Sequence, residues 1–167
     1  MAILNILHYP DPRLRTKAEP VSVFDEDLFK FGENLLETMY AAPGIGLAAT
    51  QVNVHKRVIA VDVSENHHSP FILVNPQLTL HDNQIETEEG CLSVPGIYEP
   101  VYRAEQISVQ AQDTKGGDLN FEAEGLLAVC IQHECDHLLG KLFVDYLSPL
   151  KRNRIRKKLN KQQKRRA

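Results

Sequence analysis

The fold is decided by residues 124–139, which read Glu-Gly-Leu-Leu-Ala-Val-Cys-Ile-Gln-His-Glu-Cys-Asp-His-Leu-Leu. A helix through this stretch is apolar on nearly every side, and a helix of that kind is buried rather than amphipathic. Gly140 follows at the position where a glycine commonly ends a helix. The stretch therefore predicts a helix in the interior of the protein.

Inside this helix stands the polar pattern His133-Glu134-Cys135-Asp136-His137. Two histidines four residues apart project from one helical face and can bind one metal ion, with the intervening glutamate as general base. Burying these groups in an apolar helix is costly unless each has a strong partner, and a metal ion is such a partner. The alternative is a pair of histidines whose hydrogen bonds are satisfied within the core.

A catalytic metal site of this kind needs a third protein ligand. No histidine or glutamate follows His137, and Asp145, which remains possible, lies in a strand-like stretch at 142–147. Cys91 is the better candidate, because the glycine and proline residues around it predict a rigid turn. A thiolate is a strong ligand for zinc or iron(II). The alternative is a small, buried, apolar Cys91.

The remaining cysteines, Cys130 and Cys135, are interpreted as packing residues. Three sparse cysteines and an N-terminus without a basic region predict reduced thiols in the cytoplasm rather than a secreted disulfide framework. No apolar run approaches the ~20 residues that would span a bilayer, so no membrane partner is expected.

Residues 44–52, Gly-Ile-Gly-Leu-Ala-Ala-Thr-Gln-Val, contain a second candidate feature. Glycines let the backbone approach a ligand closely, and the Gln51 amide can donate a hydrogen bond to a developing oxyanion. By itself, the loop is equally typical of an ordinary turn before a strand.

Local patterns predict the other elements. Apolar residues at spacings of three and four predict a helix that Ser22 or Asp25 caps and Pro43-Gly44 ends; they are Phe24, Leu28, Phe31, Leu35 and Met39. Strands are predicted at 57–63, at 71–74 with Asn75-Pro76 as the stop, at 106–112, and at 118–123 after a turn. The predicted class is α+β, with short antiparallel strands packed around the buried helix.

The charge is distributed unevenly. Residues 151–167 hold ten of the 19 Lys and Arg residues and no acid, while the rest of the chain holds nine basic and all 22 acidic residues. Ser148-Pro149 predicts the start of a C-terminal basic helix. We expect a catalytic domain at 1–147 that this helix, 148–167, extends. The helix either binds an anionic partner or is simply a solvated surface.

Three segments, in this order, resemble the peptide deformylases: residues 44–52, Glu89-Gly90-Cys91-Leu92-Ser93, and residues 132–137. The resemblance implies a metal-dependent hydrolase that removes the formyl group from the N-terminal formyl-methionine of newly synthesised polypeptides. Formate is released by Glu-assisted attack of metal-bound water. We expect a monomer.

The resemblance also implies roles for individual residues. Cys91, His133 and His137 would hold one divalent metal ion, Fe(II) natively, with Zn, Ni or Co able to replace it. Glu134 would transfer the proton, and the Gln51 amide and the Leu92 N–H would stabilise the oxyanion. The expected substrate-binding residues are Ile45, Gly46, Glu89, Leu126, Val129 and Cys130, with Arg103 paired to Glu89.

The basic tail resembles the C-terminal helix by which some deformylases dock on the ribosome, which predicts contact with ribosomal RNA. In one departure from the family, residues 96–99 lack the basic residue that some members carry near Tyr98. Two other functions remain open: a metallopeptidase that cuts internal peptide bonds, and an RNA-binding protein with a retired metal site.

Overall fold

The computed structural model of the protein describes residues 2–166, with side chains for residues 2–164. The helices are α1 (Glu26–Ala41), α2 (Gly125–Leu138) and α3 (Pro149–Arg166). The strands are β1 (Gly46–Ala48), β2 (Val58–Val61), β3 (Phe71–Leu80), β4 (Gln84–Cys91), β5 (Val94–Ala104), β6 (Gln106–Gln112) and β7 (Asp118–Glu124). Short 3-10 helices occupy Pro12–Arg15, Ala49–Val52 and Phe143–Tyr146.

The strands form two antiparallel sheets. Five of them pair in the order β1-β2-β3-β6-β7, and β4 and β5 form a separate hairpin. Both β1 and β4 therefore have one edge without a strand partner. This arrangement of three helices and antiparallel strands confirms the predicted α+β class.

Helix α2 is the buried central helix. Its apolar residues pack against the inner faces of β2, β3 and β6 in one cluster, which includes Ile59, Leu73, Ile107, Val109, Ala128, Ile131 and Leu138. Gly140 has a φ of +79°, and a Cβ there would lie 2.5 Å from the Arg15 carbonyl oxygen. Only glycine combines this left-handed backbone with so close an approach.

Helix α1 packs its apolar stripe against the other side of the sheet region. Asp25 is the cap that the structure uses, since its carboxylate accepts a hydrogen bond of 2.9 Å from the Leu28 N–H. Leu28, Leu35 and Met39 are buried, in a cluster with residues of β1 and β2. The helix stripe and one of its two proposed caps are thus as predicted.

The prediction that Asn75-Pro76 stops a strand is wrong. β3 continues to Leu80, with an irregularity in its pairing between Val74 and Gln77. The bulge keeps its polar groups satisfied: the Asn75 N–H donates to the Arg57 carbonyl oxygen at 2.8 Å, and its side chain bonds Val21 and Gln112. A bulge lets a strand pass a proline that cannot join the ladder.

Two further segments differ from expectation. The stretch 142–147, expected to be strand-like, contains the 3-10 helix Phe143–Tyr146. The hairpin of β4 and β5 was not predicted, because Pro95 and Pro100 interrupt the second strand. Each strand of a two-stranded sheet has a free edge, where proline costs no ladder hydrogen bond.

Helix α3 begins as predicted, with the Ser148 hydroxyl accepting from the Lys151 N–H at 3.2 Å. Its Ile155 and Leu159 are buried in a cluster with Leu7, Tyr9 and Phe143, so the helix shares a core with the preceding chain. Within residues 2–166, no helix is long and apolar enough to cross a membrane.

Candidate active site

Three potential metal ligands converge at the end of the β4–β5 hairpin. Helix α2 presents His133 and His137 from consecutive turns, and Cys91 ends β4, where its strand pairing is irregular. The Cys91 Sγ lies 3.3 Å from the His137 Nε2, which lies 3.3 Å from the His133 Nε2. All three ligand atoms lie within 4.8 Å of one another.

These spacings fit a divalent transition metal. Ligand atoms bound tetrahedrally at about 2.0–2.3 Å from one ion lie about 3.3–3.7 Å apart. One thiol and two imidazole nitrogens facing each other also form the donor set that zinc and iron(II) prefer. The competing ligand, Asp145, is occupied elsewhere: its carboxylate pairs with Arg15 at 2.6 and 2.9 Å.

A hydrogen bond to Glu89 fixes the tautomer of His133. Its Nδ1 donates to Glu89 Oε1 at 2.8 Å, which leaves Nε2 free to face the other ligands. Arg103 donates to both oxygens of Glu89, at 2.7 and 2.9 Å. Burial alone would raise the pKa of Glu89, but the hydrogen bonds from Arg103 and His133 lower it to about 2.

Glu134 is a buried carboxylate without a fixed partner. It is 4% exposed, and its Oε1 has no hydrogen-bond partner among the described residues. Burial raises the pKa of Glu134 to about 7. Gly46 leaves space for it: a Cβ at Gly46 would lie 2.4 Å from Glu134 Oε2 and 2.7 Å from Cys130 Sγ. Glu134 therefore has a buried acceptor oxygen available to an incoming donor.

Gln51 lies on the other side of the cysteine. Its Oε1 accepts from the Ala48 N–H at 2.9 Å, which turns the amide nitrogen toward Ser93 Oγ (3.0 Å) and Cys91 Sγ (3.5 Å). The side chain of Leu92 lies against Gly44, so the turn after Cys91 contacts the glycine loop. The structure thus places Gln51 and Leu92 beside the candidate metal ligands.

A cleft of about 760 Å³ opens over this centre. All six predicted substrate-binding residues line it: Ile45, Gly46, Glu89, Leu126, Val129 and Cys130. Cys91, Leu92, His133 and Glu134 line it too, whereas the fully buried His137 and Gln51 do not. The structure brings the predicted residues together, and their individual roles stay predictions.

Ser93 was missed by the sequence analysis. It is fully buried and accepts a hydrogen bond from the Gln51 amide. Its place two residues after Cys91 was the only available signal, and a serine in a turn is too common to be singled out. The sequence analysis also missed Asp136, which accepts from Arg103, and Tyr146, whose hydroxyl donates to Asp136 and whose ring faces Arg103.

The fold and the candidate centre together indicate the class of the protein: an α+β enzyme whose buried helix carries the HExxH pattern beside a cysteine. The sequence model of the polypeptide deformylase family matches residues 3–153, and the chain belongs to this family.

Relatives and solved structures agree with this assignment. The chain is 58% identical over 164 residues to the peptide deformylase of Nitrosococcus oceani, covering 98% of each chain. It is 58% identical to that of Pseudomonas aeruginosa over the full length of both. The crystal structure of a peptide deformylase from Legionella pneumophila is 47% identical, with a TM-score of 0.94 over 99% of this chain and 98% of that one.

Proposed function

We propose that the protein removes the formyl group from the N-terminal formyl-methionine of newly made polypeptides and releases formate. The observation that carries the proposal is the group Cys91, His133 and His137, whose ligand atoms lie within 4.8 Å of one another. Beside it lies Glu134, whose Oε1 has no hydrogen-bond partner among the described residues. We propose one divalent ion there, Fe(II) in the cell, which Zn, Ni or Co can replace.

The shape of the cleft supports an extended peptide as substrate. Two strands with free edges line the cleft. Gly46 begins the edge strand β1 directly after Ile45, and Thr87–Gly90 belong to β4. An extended peptide can add to such edges through main-chain hydrogen bonds. The substrate chain would therefore be held by its backbone, which suits an enzyme that acts on many different polypeptides.

The apolar part of the cleft supports methionine as the first residue. Val129 and Cys130 form a buried wall, and Ile45 and Leu126 at the mouth are 45% and 55% exposed. Exposed large apolar side chains at a cleft favour a ligand that covers them. A thioether side chain fits such surroundings better than a charged one.

We propose one chemical role for each of these residues. When bound, the cation supplies a Lewis acid that polarises the formyl carbonyl and makes water acidic enough to ionise near neutral pH. Glu134 takes a proton from the attacking water and delivers it to the leaving amine. The Gln51 amide and the Leu92 N–H donate to the carbonyl oxygen as it becomes negative.

The test is formate release from formyl-Met-Ala by the metal-loaded protein, with casein as a second substrate. We expect deformylation and intact casein, whereas a metallopeptidase would cleave casein. Glu134→Ala should abolish turnover while one metal ion stays bound, and Glu122→Ala, on an exposed strand face, should leave turnover unchanged. Turnover by Glu134→Ala would contradict the mechanism, and a wild-type protein that binds metal without turnover would support a retired site.

We further propose that the protein is a monomer that works in the cytoplasm and contacts ribosomal RNA through α3. The support for the RNA contact is charge and exposure: Ile155 and Leu159 are buried, while the lysines between and beyond them are exposed. Lys and Arg side chains that neutralise phosphates give affinity that falls with salt.

Deleting residues 151–167 is a poor test of this contact, because it removes Ile155 and Leu159 from the core. Replacing exposed lysines keeps the core intact. The test variant carries glutamine at Lys157, Lys158 and Lys161, and the control variant carries it at Lys17, Lys30 and Lys115. Co-sedimentation with ribosomes at low salt should weaken about tenfold or more in the test variant only. Equal binding by both variants would contradict the proposed contact.

A further inference from the structure

The Glu89 carboxylate that orients His133 is itself held by a chain of side chains leading away from the cleft. Arg103 donates hydrogen bonds from Nε and Nη2 to Glu89. Its Nη1 donates to Asp136 Oδ2 at 2.6 Å. The Tyr146 hydroxyl donates to the same Asp136 oxygen at 2.7 Å. The series therefore runs from Tyr146 through Asp136, Arg103 and Glu89 to His133.

Tyr146 contacts this series twice. Besides its hydrogen bond to Asp136, its ring lies 4.9 Å from the Arg103 Cζ, within range of a cation–π interaction. The guanidinium is thus fixed on one edge by Glu89, on another by Asp136 and on its face by Tyr146. A planar guanidinium fixed in this way can hold a carboxylate in one orientation.

Strand pairing alone does not fix the position of the Glu89 side chain. The pairing of β4 with β5 becomes irregular between Glu89 and Cys91, next to the carboxylate in question. Glu89 and Arg103 are only 6% and 5% exposed, so water contributes little to their solvation. Buried charged side chains depend on their hydrogen-bond partners for stability. Removing one hydrogen bond at the outer end of the series therefore loosens the side chain that follows it.

The outer members of the series do not touch the substrate cleft. Glu89 and His133 line that cleft, whereas Arg103, Asp136 and Tyr146 line a second cavity of about 540 Å³. The side chains of Asp136 and Tyr146 therefore reach the metal centre through Arg103 and Glu89. Tyr146, unlike Asp136, lies outside the helix that carries His133 and His137, so its effect has no route through that helix.

We infer that Asp136 and Tyr146 are positioning residues for the metal centre, which hold Arg103 so that Glu89 fixes the ring of His133. The inference rests on the metal site of the proposed function. Partners that orient a ligating histidine keep its free nitrogen aimed at the ion, and their loss commonly weakens metal affinity. Tyr146 lies outside all three segments that carry the family resemblance.

The test uses Asp136→Asn, which keeps the side-chain shape, and Tyr146→Phe, which keeps the ring and removes only the hydroxyl. Tyr102→Phe is the matched control, because Tyr102 lines the same second cavity but bonds Glu86 instead. The full-length proteins are loaded with cobalt(II), and its dissociation constant is measured by competition with a chelator. The visible absorption band of bound cobalt is recorded, together with the melting temperature of each metal-free protein.

We expect the cobalt dissociation constant to rise about 10- to 100-fold in Asp136→Asn. It should rise about 3- to 10-fold in Tyr146→Phe, with the loss of one hydrogen bond. Tyr102→Phe should stay within about twofold of wild type. Both test variants should also change the shape of the cobalt band, since the orientation of His133 changes.

Unchanged affinity in both test variants overturns the inference, as does an equal loss in Tyr102→Phe. An unchanged cobalt band, with a lower melting temperature in the metal-free protein, would assign the two residues a structural role only and also overturns it. None of these measurements needs a formylated substrate. Failure of formate release therefore contradicts the proposed reaction alone, whereas a wild-type protein that binds no cobalt contradicts both proposals.

Discussion

Gly46→Ala would test whether the position of the Glu134 carboxylate matters for turnover. The new Cβ would lie 2.4 Å from Glu134 Oε2, 3.0 Å from its Cδ and 2.7 Å from Cys130 Sγ. Non-bonded heavy atoms settle at about 3.5 Å, so the carboxylate must retreat by about 1 Å. Gly46 is not one of the glycines with positive φ, and its backbone therefore accepts alanine.

A displacement of ~1 Å in a reacting group can cost about 100-fold in rate, which is about 2.7 kcal/mol of activation free energy. The assay is formate release by metal-loaded protein, with the metal content measured on the same sample. We expect kcat/KM to fall about 100-fold at unchanged metal content, because none of the close contacts involves a metal ligand.

The control for this variant is Gly32→Ala in the interior of α1. Its Cβ would lie 3.2 Å from Ile72 Cγ2 and 3.3 Å from Thr114 Cγ2, far looser contacts than those at Gly46. We expect its kcat/KM to match wild type. A folded, metal-loaded Gly46→Ala protein within threefold of wild-type kcat/KM would refute the reasoning that Glu134 acts from its observed position.

Three further predictions concern stability. Gly140→Ala should lower the free energy of unfolding by about 3 kcal/mol in urea denaturation, because of its positive φ and the Arg15 backbone beside it; an unchanged midpoint would contradict this. Leu159→Ala should cost about 2–5 kcal/mol by the same assay, since the side chain is 3% exposed, and a loss below 1 kcal/mol would show that α3 does not share the core. Burial raises the pKa of Asp62, but hydrogen bonds from Ser64 and Tyr40 outweigh this effect and lower the pKa below its ordinary value of 3.8. The ionised Asp62 therefore stabilises the fold above pH 3.8, and this stabilisation is lost as the pH falls through the lowered pKa. Asp62→Asn should therefore flatten the acid side of the stability profile, and an unaltered profile would contradict the assignment.

The parts of the structure that the sequence predicted well are determined locally. The apolar composition of 124–139 acts within one helix, and the glycine after it and Ser148 before Pro149 each act within one helical turn. All three features appear where expected. Local hydrogen bonding and burial decide such features, so no knowledge of distant partners is needed.

The candidate for the third metal ligand could not be chosen from local sequence alone. Spacing left both Cys91 and Asp145 possible, and only the fold pairs Asp145 with Arg15, 130 residues away. The hairpin that carries Cys91 escaped prediction for the same reason. Its prolines are acceptable only because the strands lie at free edges, which is a property of the sheet and not of the segment.

The chain from Tyr146 to His133 has no sequence signature either. Its members lie in four separate elements, and each residue type is individually common. The bulge at Asn75-Pro76 is comparable, since its polar groups are satisfied by Val21, Arg57 and Gln112. Tertiary hydrogen bonds decide both features.

The most direct test of the account is X-ray absorption at the zinc edge of the zinc-loaded protein, with total metal measured on the same sample. We expect one ion per chain, bound by one sulfur at about 2.3 Å and two nitrogens at about 2.0–2.1 Å. The sulfur contribution should disappear in Cys91→Ser. A metal shell without sulfur in the wild-type protein, or a sulfur signal that survives Cys91→Ser, would contradict the account.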